Sequence, residues 1–210
     1  MNNILLLGAP GCGKGTQAKL LEDNLGYNRI DTGSLIRTAI KNQTELGKQA
    51  KSYVEAGKLI PDNLVIGLIL DEANKLTREN KKILFDGFPR NIPQADALKG
   101  AGINLDKIIE ITIPEEKLIE RIVGRRICTN RECAAVYHVQ FKPTKALNIC
   151  DICCSELYQR NDDKEELVQA RINTYKQETL VLTEYYQDNL VTVNGDKKSQ
   201  EVFESIQQVL

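Results

Sequence analysis

The stretch that most constrains this chain is Gly8–Thr16, which reads G-A-P-G-C-G-K-G-T and directly follows the apolar run Ile4–Leu7. Four consecutive apolar residues at this position predict a buried parallel strand. The glycines allow the backbone to turn tightly and to direct several N–H groups at one anion. A helix predicted to begin near Thr16 adds the partial positive charge of its N-terminus, and Lys14 adds a full one. The stretch therefore predicts a cradle for the phosphates of a nucleoside triphosphate, the alternative being a glycine-rich turn without a ligand.

The cradle departs by one position from the strict P-loop pattern G-x-x-x-x-G-K-[ST]. Gly15 follows Lys14, and the hydroxyl comes only at Thr16. Cys12 lies inside the loop, where backbone N–H dipoles and Lys14 favour a thiolate. We nevertheless interpret Cys12 as a small residue that fills the loop and has no catalytic role.

Composition excludes several classes of function. The 210 residues suffice for one α/β domain with insertions, and the net charge of −1 exerts no global attraction toward nucleic acid or anionic membranes. Aromatic residues are scarce and tryptophan is absent, which disfavours a platform for stacking bases. No apolar segment of about 18 residues could span a membrane, and the few residues before the glycine-rich loop are too short for a signal peptide. We expect a cytoplasmic or organelle-matrix protein without nucleic-acid or membrane partners.

Apolar runs that predict strands alternate along the chain with segments of helical pattern. Such alternation predicts an α/β fold with a five-stranded parallel sheet covered on both faces. Ligands of these sheets bind beyond the carboxyl ends of the strands, where the motifs of this chain also fall. The predicted strands are Ile4–Leu7, Tyr27–Ile30, Lys82–Asp86, Ile108–Ile113 and Leu190–Val193.

Two segments interrupt the alternation and predict inserts. Residues 31–60 predict a small helical insert, with helices over Ser34–Lys41 and Glu45–Ala56. Residues 124–161 carry turn residues and cysteines without a helical period, and predict a second insert. The core domain would then consist of residues 1–30, 61–123 and 162–210.

The third predicted strand ends in an acid and is followed by an arginine. Asp86 comes where a P-loop enzyme places the acid that holds magnesium, often through water; the alternative is an ordinary turn residue. Arg90 can clamp a phosphate with two hydrogen bonds. Fixed guanidinium groups stabilise the charge of a phosphoryl group in transfer, although spacing alone does not separate such arginines from solvated ones. The candidate arginines are Arg37, Arg90, Arg121, Arg125, Arg126, Arg160 and Arg171.

Four of the six cysteines form two close pairs, Cys128-x4-Cys133 and Cys150-x2-Cys153. Two such pairs on two turns can place four thiolates at the corners of a tetrahedron around zinc. The alternative is a group of free buried thiols. Cys154 is left over, because the x2 spacing favours Cys153 as the ligand.

Taken together, these motifs resemble those of bacterial adenylate kinases over essentially the whole chain. The G-K-G-T form of the loop is typical of nucleoside monophosphate kinases, and the four cysteines resemble the long form of the family, whose lid binds zinc. The resemblance implies reversible transfer of the terminal phosphoryl group of MgATP to AMP, giving two ADP, and we expect a monomer. The matching segments are Gly8–Thr16, Asp86–Arg90, Arg121–Arg126, Tyr137-His138 and Arg160–Asp163.

The resemblance also implies roles for individual residues, with 31–60 as the AMP-binding insert and 124–161 as the lid. The catalytic set would be Lys14, Asp86, Arg90, Arg125, Arg160 and Arg171. ATP would be bound by Gly11, Cys12, Gly13, Lys14, Gly15, Thr16, Arg121, Arg125, Val136, Tyr137 and Lys197. AMP would be bound by Thr32, Arg37, Lys58, Leu59, Ile60, Gly87, Phe88, Pro89, Arg90, Gln94, Arg160 and Arg171. Cys128, Cys133, Cys150 and Cys153 would hold one structural zinc, and magnesium would accompany ATP.

The chain departs from this family pattern at three places. Ser34 stands where the family usually has an acid that orders water around magnesium. The first cysteine pair has an x4 spacer in place of the usual x2, and Cys154 replaces a common glycine.

Three other functions remain open at this point. A kinase for UMP or CMP would share the motifs, and Gln94 favours adenine by resemblance only. A zinc-knuckle protein that binds nucleic acid could carry an incidental P-loop, which the low net charge and few aromatic residues disfavour. A regulatory P-loop ATPase would hydrolyse ATP without AMP.

Overall fold

The computed structural model describes residues 2–130 and 132–210, so Met1 and Arg131, within the spacer of the first cysteine pair, lie outside the described residues. Most of the described chain forms one sheet covered by helices, and short 3₁₀ or π turns join some of the elements. The strands are β1 (Ile4–Leu7), β2 (Asn28–Asp31), β3 (Ile83–Asp86), β4 (Lys107–Thr112), β5 (Arg125–Cys128), β6 (Val136–His138), β7 (Leu157–Tyr158) and β8 (Leu190–Asn194). The helices are α1 (Lys14–Leu25), α2 (Thr32–Lys41), α3 (Glu45–Glu55), α4 (Asp62–Arg78), α5 (Ile92–Gly100), α6 (Glu115–Val123), α7 (Glu165–Thr174), α8 (Leu182–Tyr185) and α9 (Ser199–Gln207).

The main sheet has five parallel strands in the order β2-β3-β1-β4-β8, which confirms the predicted fold class. The predicted strands differ from the observed ones by a residue or two at their ends; β2, for example, is shifted by one residue to end at Asp31. The register aligns the carboxyl ends of the first three strands, because Leu6 and Asp31 both pair with Asp86. Side chains that follow these strands therefore meet at one edge of the sheet.

Alternate residues of the buried strands pack into two hydrophobic cores, one on each face of the sheet. Leu5 and Leu7 of β1 pack with residues of α2, α3, α4 and α5. Ile4 and Leu6 pack with residues of α1, α6, α7 and α9. All four side chains are at most 2% exposed, which explains why β1 has no polar residue on either face.

The two predicted inserts differ in architecture. The segment after β2 forms α2 and α3, capped by Asp31 and Thr44, whose side chains accept hydrogen bonds from Ser34 N and Gly47 N. The cysteine-bearing segment forms an antiparallel sheet in the order β6-β5-β7, which sequence analysis did not predict. Its strands have four, three and two residues, too few for a period of two to stand out.

Within the part of the chain that the structure describes, no helix is both long and apolar enough to cross a membrane.

Candidate active site

The glycine-rich loop turns between β1 and α1 through backbone conformations that favour glycine. Gly8, Gly11 and Gly13 have φ angles of 143°, 86° and 104°. Space is also limiting, because a Cβ on Gly8 would lie 2.5 Å from the Ile111 carbonyl oxygen. The helix begins at Lys14, two residues earlier than expected, so the N–H groups of its first turn face the loop. The loop thus has the form of an anion-binding cradle.

Lys14 holds this loop closed. Its ammonium group donates hydrogen bonds to the carbonyl oxygens of Gly8 and Ala9, the latter at 3.2 Å, and lies 3.8 Å from Cys12 Sγ. Cys12 is 2% exposed and belongs to the core on the α1 side of the sheet. This packing agrees with its interpretation as a residue that fills the loop.

Two carboxylates meet at the ends of β2 and β3 and share one guanidinium group. Arg29 Nη2 lies 3.0 Å from Asp31 Oδ2 and 2.5 Å from Asp86 Oδ2. Burial raises the pKa of Asp31, but Arg29, Arg37 and hydrogen bonds from Ser34 outweigh burial and hold that pKa below its usual range. Asp86 thus lies where sequence analysis expected an acid, whereas Arg29 was missed because strand residues carry no signal for a pairing across the sheet.

Ser34 donates hydrogen bonds to one member of this carboxylate pair, Asp31. Its N–H and hydroxyl donate to the two oxygens of Asp31, at 2.9 and 2.6 Å. The chain therefore carries an acid at position 31, beside the serine that departs from the family pattern.

Asp163 joins the cysteine-bearing segment to α7 through two arginines. Its side chain is fully buried and accepts hydrogen bonds from Arg125 Nε at 2.8 Å and Arg171 Nη1 at 2.8 Å. Burial raises the pKa of Asp163, but the two guanidinium groups outweigh it and lower the pKa below its ordinary value. Arg171 also donates to the Asp162 carbonyl oxygen at 2.6 Å. The predicted site residues Arg125 and Arg171 are therefore held in place by Asp163, to which sequence analysis gave no role.

Five of the predicted arginines, Arg37, Arg90, Arg125, Arg160 and Arg171, come together in the folded chain. Burial lowers the pKa of Arg90, and the positive charges of Arg171 and Arg37 lower it further. Burial also lowers the pKa of Arg160 to about 10, with Arg37 and Arg125 acting in the same direction. Guanidinium groups from α2, β5, α7 and two loops thus lie close enough to repel one another, an arrangement that a polyphosphate would relieve.

Three other basic residues lie apart from this group. Arg126 donates to the carbonyl oxygens of Val123 and Arg125. Arg121 donates to the Gly195 carbonyl oxygen at 3.1 Å, in the loop between β8 and α9 that also carries the exposed Lys197. That loop borders the P-loop, since a Cβ on Gly195 would lie 3.2 Å from the Cys12 carbonyl oxygen.

A cleft of about 400 Å³ opens between α3 with the loop that follows it on one side, and Asn91 and the end of α7 on the other. Its size suits a nucleotide base, and it contains three of the predicted AMP-binding residues, Lys58, Leu59 and Ile60. Thr32, another predicted AMP-binding residue, is buried, and its hydroxyl has no hydrogen-bond partner among the described residues. The residues that line the cleft are Tyr53, Lys58, Leu59, Ile60, Pro61, Asn91, Thr174, Gln177 and Glu178.

The four paired cysteines meet in the small antiparallel sheet. The Sγ atoms of Cys128, Cys133, Cys150 and Cys153 all lie within 4.8 Å of one another. Four thiols at this separation can hold one metal ion, and sulfur ligands in this number are typical of structural zinc. Cys154 is exposed and lies outside the group, as the x2 spacing indicated.

Tyr137 packs inside the cysteine group. Its hydroxyl accepts a hydrogen bond from Asp151 N at 2.9 Å and lies 3.5 Å from Cys150 Sγ, to which its proton can be donated. That hydrogen bond lowers the pKa of Cys150 to about 6. The side chain is 5% exposed, which leaves only the main chain of Tyr137 for the predicted contact with ATP.

Comparisons with known proteins agree with this geometry. The family model described as adenylate kinase matches residues 6–191, most of the chain. The chain belongs to the adenylate kinase family. It is 50% identical over 209 residues to the adenylate kinase of Alkaliphilus oremlandii (strain OhILAs), covering 97% of this chain and 95% of the relative. It is 46% identical to the adenylate kinase of Carboxydothermus hydrogenoformans and 47% identical to that of Methanosarcina mazei, covering 99% of this chain and 98% of each relative.

Membership of this family makes the chain a nucleoside monophosphate kinase, with ATP, AMP and ADP as its substrates and products. The expected activity is thereby confirmed. Neither the family match nor the relatives favour a kinase for UMP or CMP, a zinc-knuckle protein that binds nucleic acid, or a regulatory ATPase.

Proposed function

We propose that this chain transfers the terminal phosphoryl group of MgATP to AMP by means of the arginines gathered around its cleft. The observation that supports this proposal is the clustering of partly buried arginines. Burial lowers the pKa of Arg90 and of Arg160, and the positive charge of Arg37, with Arg171 at Arg90 and Arg125 at Arg160, lowers it further. Phosphoryl transfer gathers negative charge between donor and acceptor, and guanidinium groups already in place stabilise that charge without reorganisation. No covalent intermediate is needed, so alignment and charge stabilisation supply the catalysis.

The donor and acceptor nucleotides occupy two sides of this cleft. The P-loop from Gly11 to Thr16 binds the ATP phosphates. Lys14 gives up its hydrogen bonds to the loop carbonyl oxygens and donates to the transferred phosphoryl group instead. AMP lies in the cleft beside Lys58–Ile60, with its phosphate toward the arginines. Lys14, Asp86, Arg90, Arg125, Arg160 and Arg171 form the catalytic set.

The two inserts exclude water from the reaction. Residues 31–60 close over AMP and residues 124–161 close over ATP, because water admitted to the cleft would take the phosphoryl group. Asp163 keeps Arg125 and Arg171 directed at the cleft while the lid moves.

Two metals fit residues of this chain. Magnesium bound with ATP would neutralise charge on its phosphates, and Asp31 and Asp86, whose carboxylates meet at the ends of β2 and β3, would hold its water shell. Zinc fits the four cysteine sulfurs, where a closed set of ligands maintains the shape of the lid and takes no part in the chemistry.

The assigned roles are tested by Lys14→Ala and Arg90→Ala, with Lys19→Ala as the control on the exposed face of α1. Each site variant is expected to lose about 3 kcal/mol of transition-state stabilisation, roughly a hundredfold or more in kcat/KM. Lys19→Ala should keep its activity, and all three should melt near the wild-type temperature. Site variants with wild-type kcat/KM would contradict the assignment.

A further inference from the structure

The side-chain amide of Gln94 is held at both ends by groups of fixed hydrogen-bonding character. Gln94 is 3% exposed. Its Oε1 accepts from the Arg90 N–H at 2.8 Å, and its Nε2 donates to Asp62 Oδ1 at 2.6 Å. Asn91 completes the group, since its Nδ2 donates to the Asp62 carboxylate at 3.0 Å and its Oδ1 accepts from Gln94 N at 3.0 Å.

These partners allow only one orientation of the amide. A main-chain N–H can only donate, and an ionised carboxylate can only accept. Turning the Gln94 amide by 180° would place its NH₂ group against the Arg90 N–H and its oxygen against the Asp62 carboxylate. Both hydrogen bonds would become repulsive contacts, and the bond to Asp62 is charge-assisted. The orientation of the amide is therefore dictated by Asp62 and Arg90.

The fixed amide can still form two hydrogen bonds with a ligand. One N–H of Nε2 and one lone pair of Oε1 remain after the two hydrogen bonds have formed. The holding groups also lie at the edge of the 400 Å³ cleft, because Pro61 precedes Asp62 and both Pro61 and Asn91 line that cleft. A base that reaches Gln94 from this cleft would therefore meet an acceptor and a donor in a set order.

We propose that Asp62 is a positioning residue that determines specificity, because it fixes the Gln94 amide in the orientation that reads a 6-aminopurine. The inference rests on the proposed function, in which AMP occupies this cleft, and on the AMP contact that the family resemblance implies for Gln94. Adenine offers a donor at its 6-amino group and an acceptor at the neighbouring ring nitrogen, which match Oε1 and Nε2. A 6-oxopurine offers an acceptor at its 6-oxo group and a donor at the neighbouring ring nitrogen. It could form both hydrogen bonds only with a Gln94 amide turned by 180°. A glutamine free to turn would accept both bases, so the discrimination comes from Asp62 rather than from Gln94 alone.

The test compares AMP with IMP, which differs from AMP only in its 6-oxo group and the proton on the adjacent nitrogen. Wild type, Asp62→Asn and the control Asp71→Asn, on the exposed face of the same helix, are assayed with both acceptors at saturating ATP. An asparagine amide can serve either orientation of Gln94, so Asp62→Asn leaves only the Arg90 N–H to favour the original orientation. We expect the IMP-to-AMP ratio of kcat/KM to rise about tenfold in Asp62→Asn and to stay at the wild-type value in Asp71→Asn.

A structural role of Asp62 would lower both activities together and leave the ratio unchanged, which would overturn the proposal. Gln94→Leu provides a second test that does not depend on the folding of Asp62→Asn. It deletes the amide, so AMP should lose its advantage over IMP, and full retention of that advantage would also overturn the proposal. A wild-type protein that consumes no ATP with AMP would instead contradict the proposed function.

Discussion

Asp163 is the residue on which the charge arrangement of the cleft depends most. It is fully buried, it lies between Arg125 and Arg171, and both guanidinium groups donate to it. The segment Asn161–Asp163 forms a single 3₁₀ turn directly before α7, which brings the carboxylate back to the arginine on that helix. Removing its charge would leave two partly buried cations without their common partner.

We expect Asp163→Asn to lose about 3 kcal/mol of unfolding free energy at pH 7, because it breaks a buried ion-pair group. The folded-state pKa of Asp163 lies below its value in the unfolded chain. Its contribution is therefore present above the unfolded pKa of about 3.9 and is lost as the pH falls through the folded pKa. Urea unfolding of wild type and variant should give curves that converge below about pH 4, while the exposed control Asp188→Asn stays near wild type. A stability difference that persists in acid would contradict this account.

Asp31 supplies a second carboxylate beside Asp86 in a chain that has Ser34 in place of the usual acid. We expect Asp31→Asn to raise severalfold the magnesium concentration needed for half-maximal activity, measured at fixed ATP. Ser34→Asp should tighten magnesium dependence, because a further carboxylate near Asp86 would hold the water shell of the metal more firmly. The exchange variant with Asp31→Ser and Ser34→Asp should restore a normal titration. An unchanged titration in Asp31→Asn would remove Asp31 from the magnesium site.

At the scale of elements, the lid shows the difference between what spacing predicts and what it does not. The four cysteines could be paired from the sequence, because ligand spacing is a local property of two turns. The three short strands β5, β6 and β7 could not be predicted, since strands of two to four residues show no detectable alternation of apolar and polar residues. The apolar cluster of this segment consists mainly of Tyr137 and the cysteines themselves, so we expect a metal bound by the cysteines to stabilise its shape.

We expect Cys150→Ser to lose the bound metal and Cys154→Ser to retain it, measured as zinc per chain beside melting curves. Removal of zinc should lower the melting temperature but leave most of the activity at low temperature, because Lys14 and Arg90 lie elsewhere. Cys154 has a φ of 58°, so Cys154→Gly should keep the metal and stabilise the protein by about 1 kcal/mol. Full zinc content in Cys150→Ser, or loss of zinc in Cys154→Ser, would contradict the ligand set.

At the scale of the whole molecule, the parallel sheet could be predicted from the apolar runs in the sequence. The central strands β1 and β3 could be predicted because all of their residues are buried, whereas β2 and β8 at the edges of the sheet are only partly buried. The carboxyl ends could be predicted to meet because parallel sheets align them. The polar partners Arg29, Asp62 and Asp163 could not be identified in this way. Each acts on a residue on another element, and such pairings become visible only when the elements are packed.

The packed molecule brings arginines from both inserts and the core together, so its activity should depend on two nucleotides at once. The most direct test is the rate of ATP consumption, measured with magnesium and with no acceptor, AMP, CMP, UMP or GMP. We expect negligible hydrolysis without an acceptor, rapid conversion of ATP and AMP into two ADP, and much slower reaction with the other monophosphates. ATP hydrolysis that AMP leaves unchanged, or a clear preference for UMP or CMP, would contradict the account.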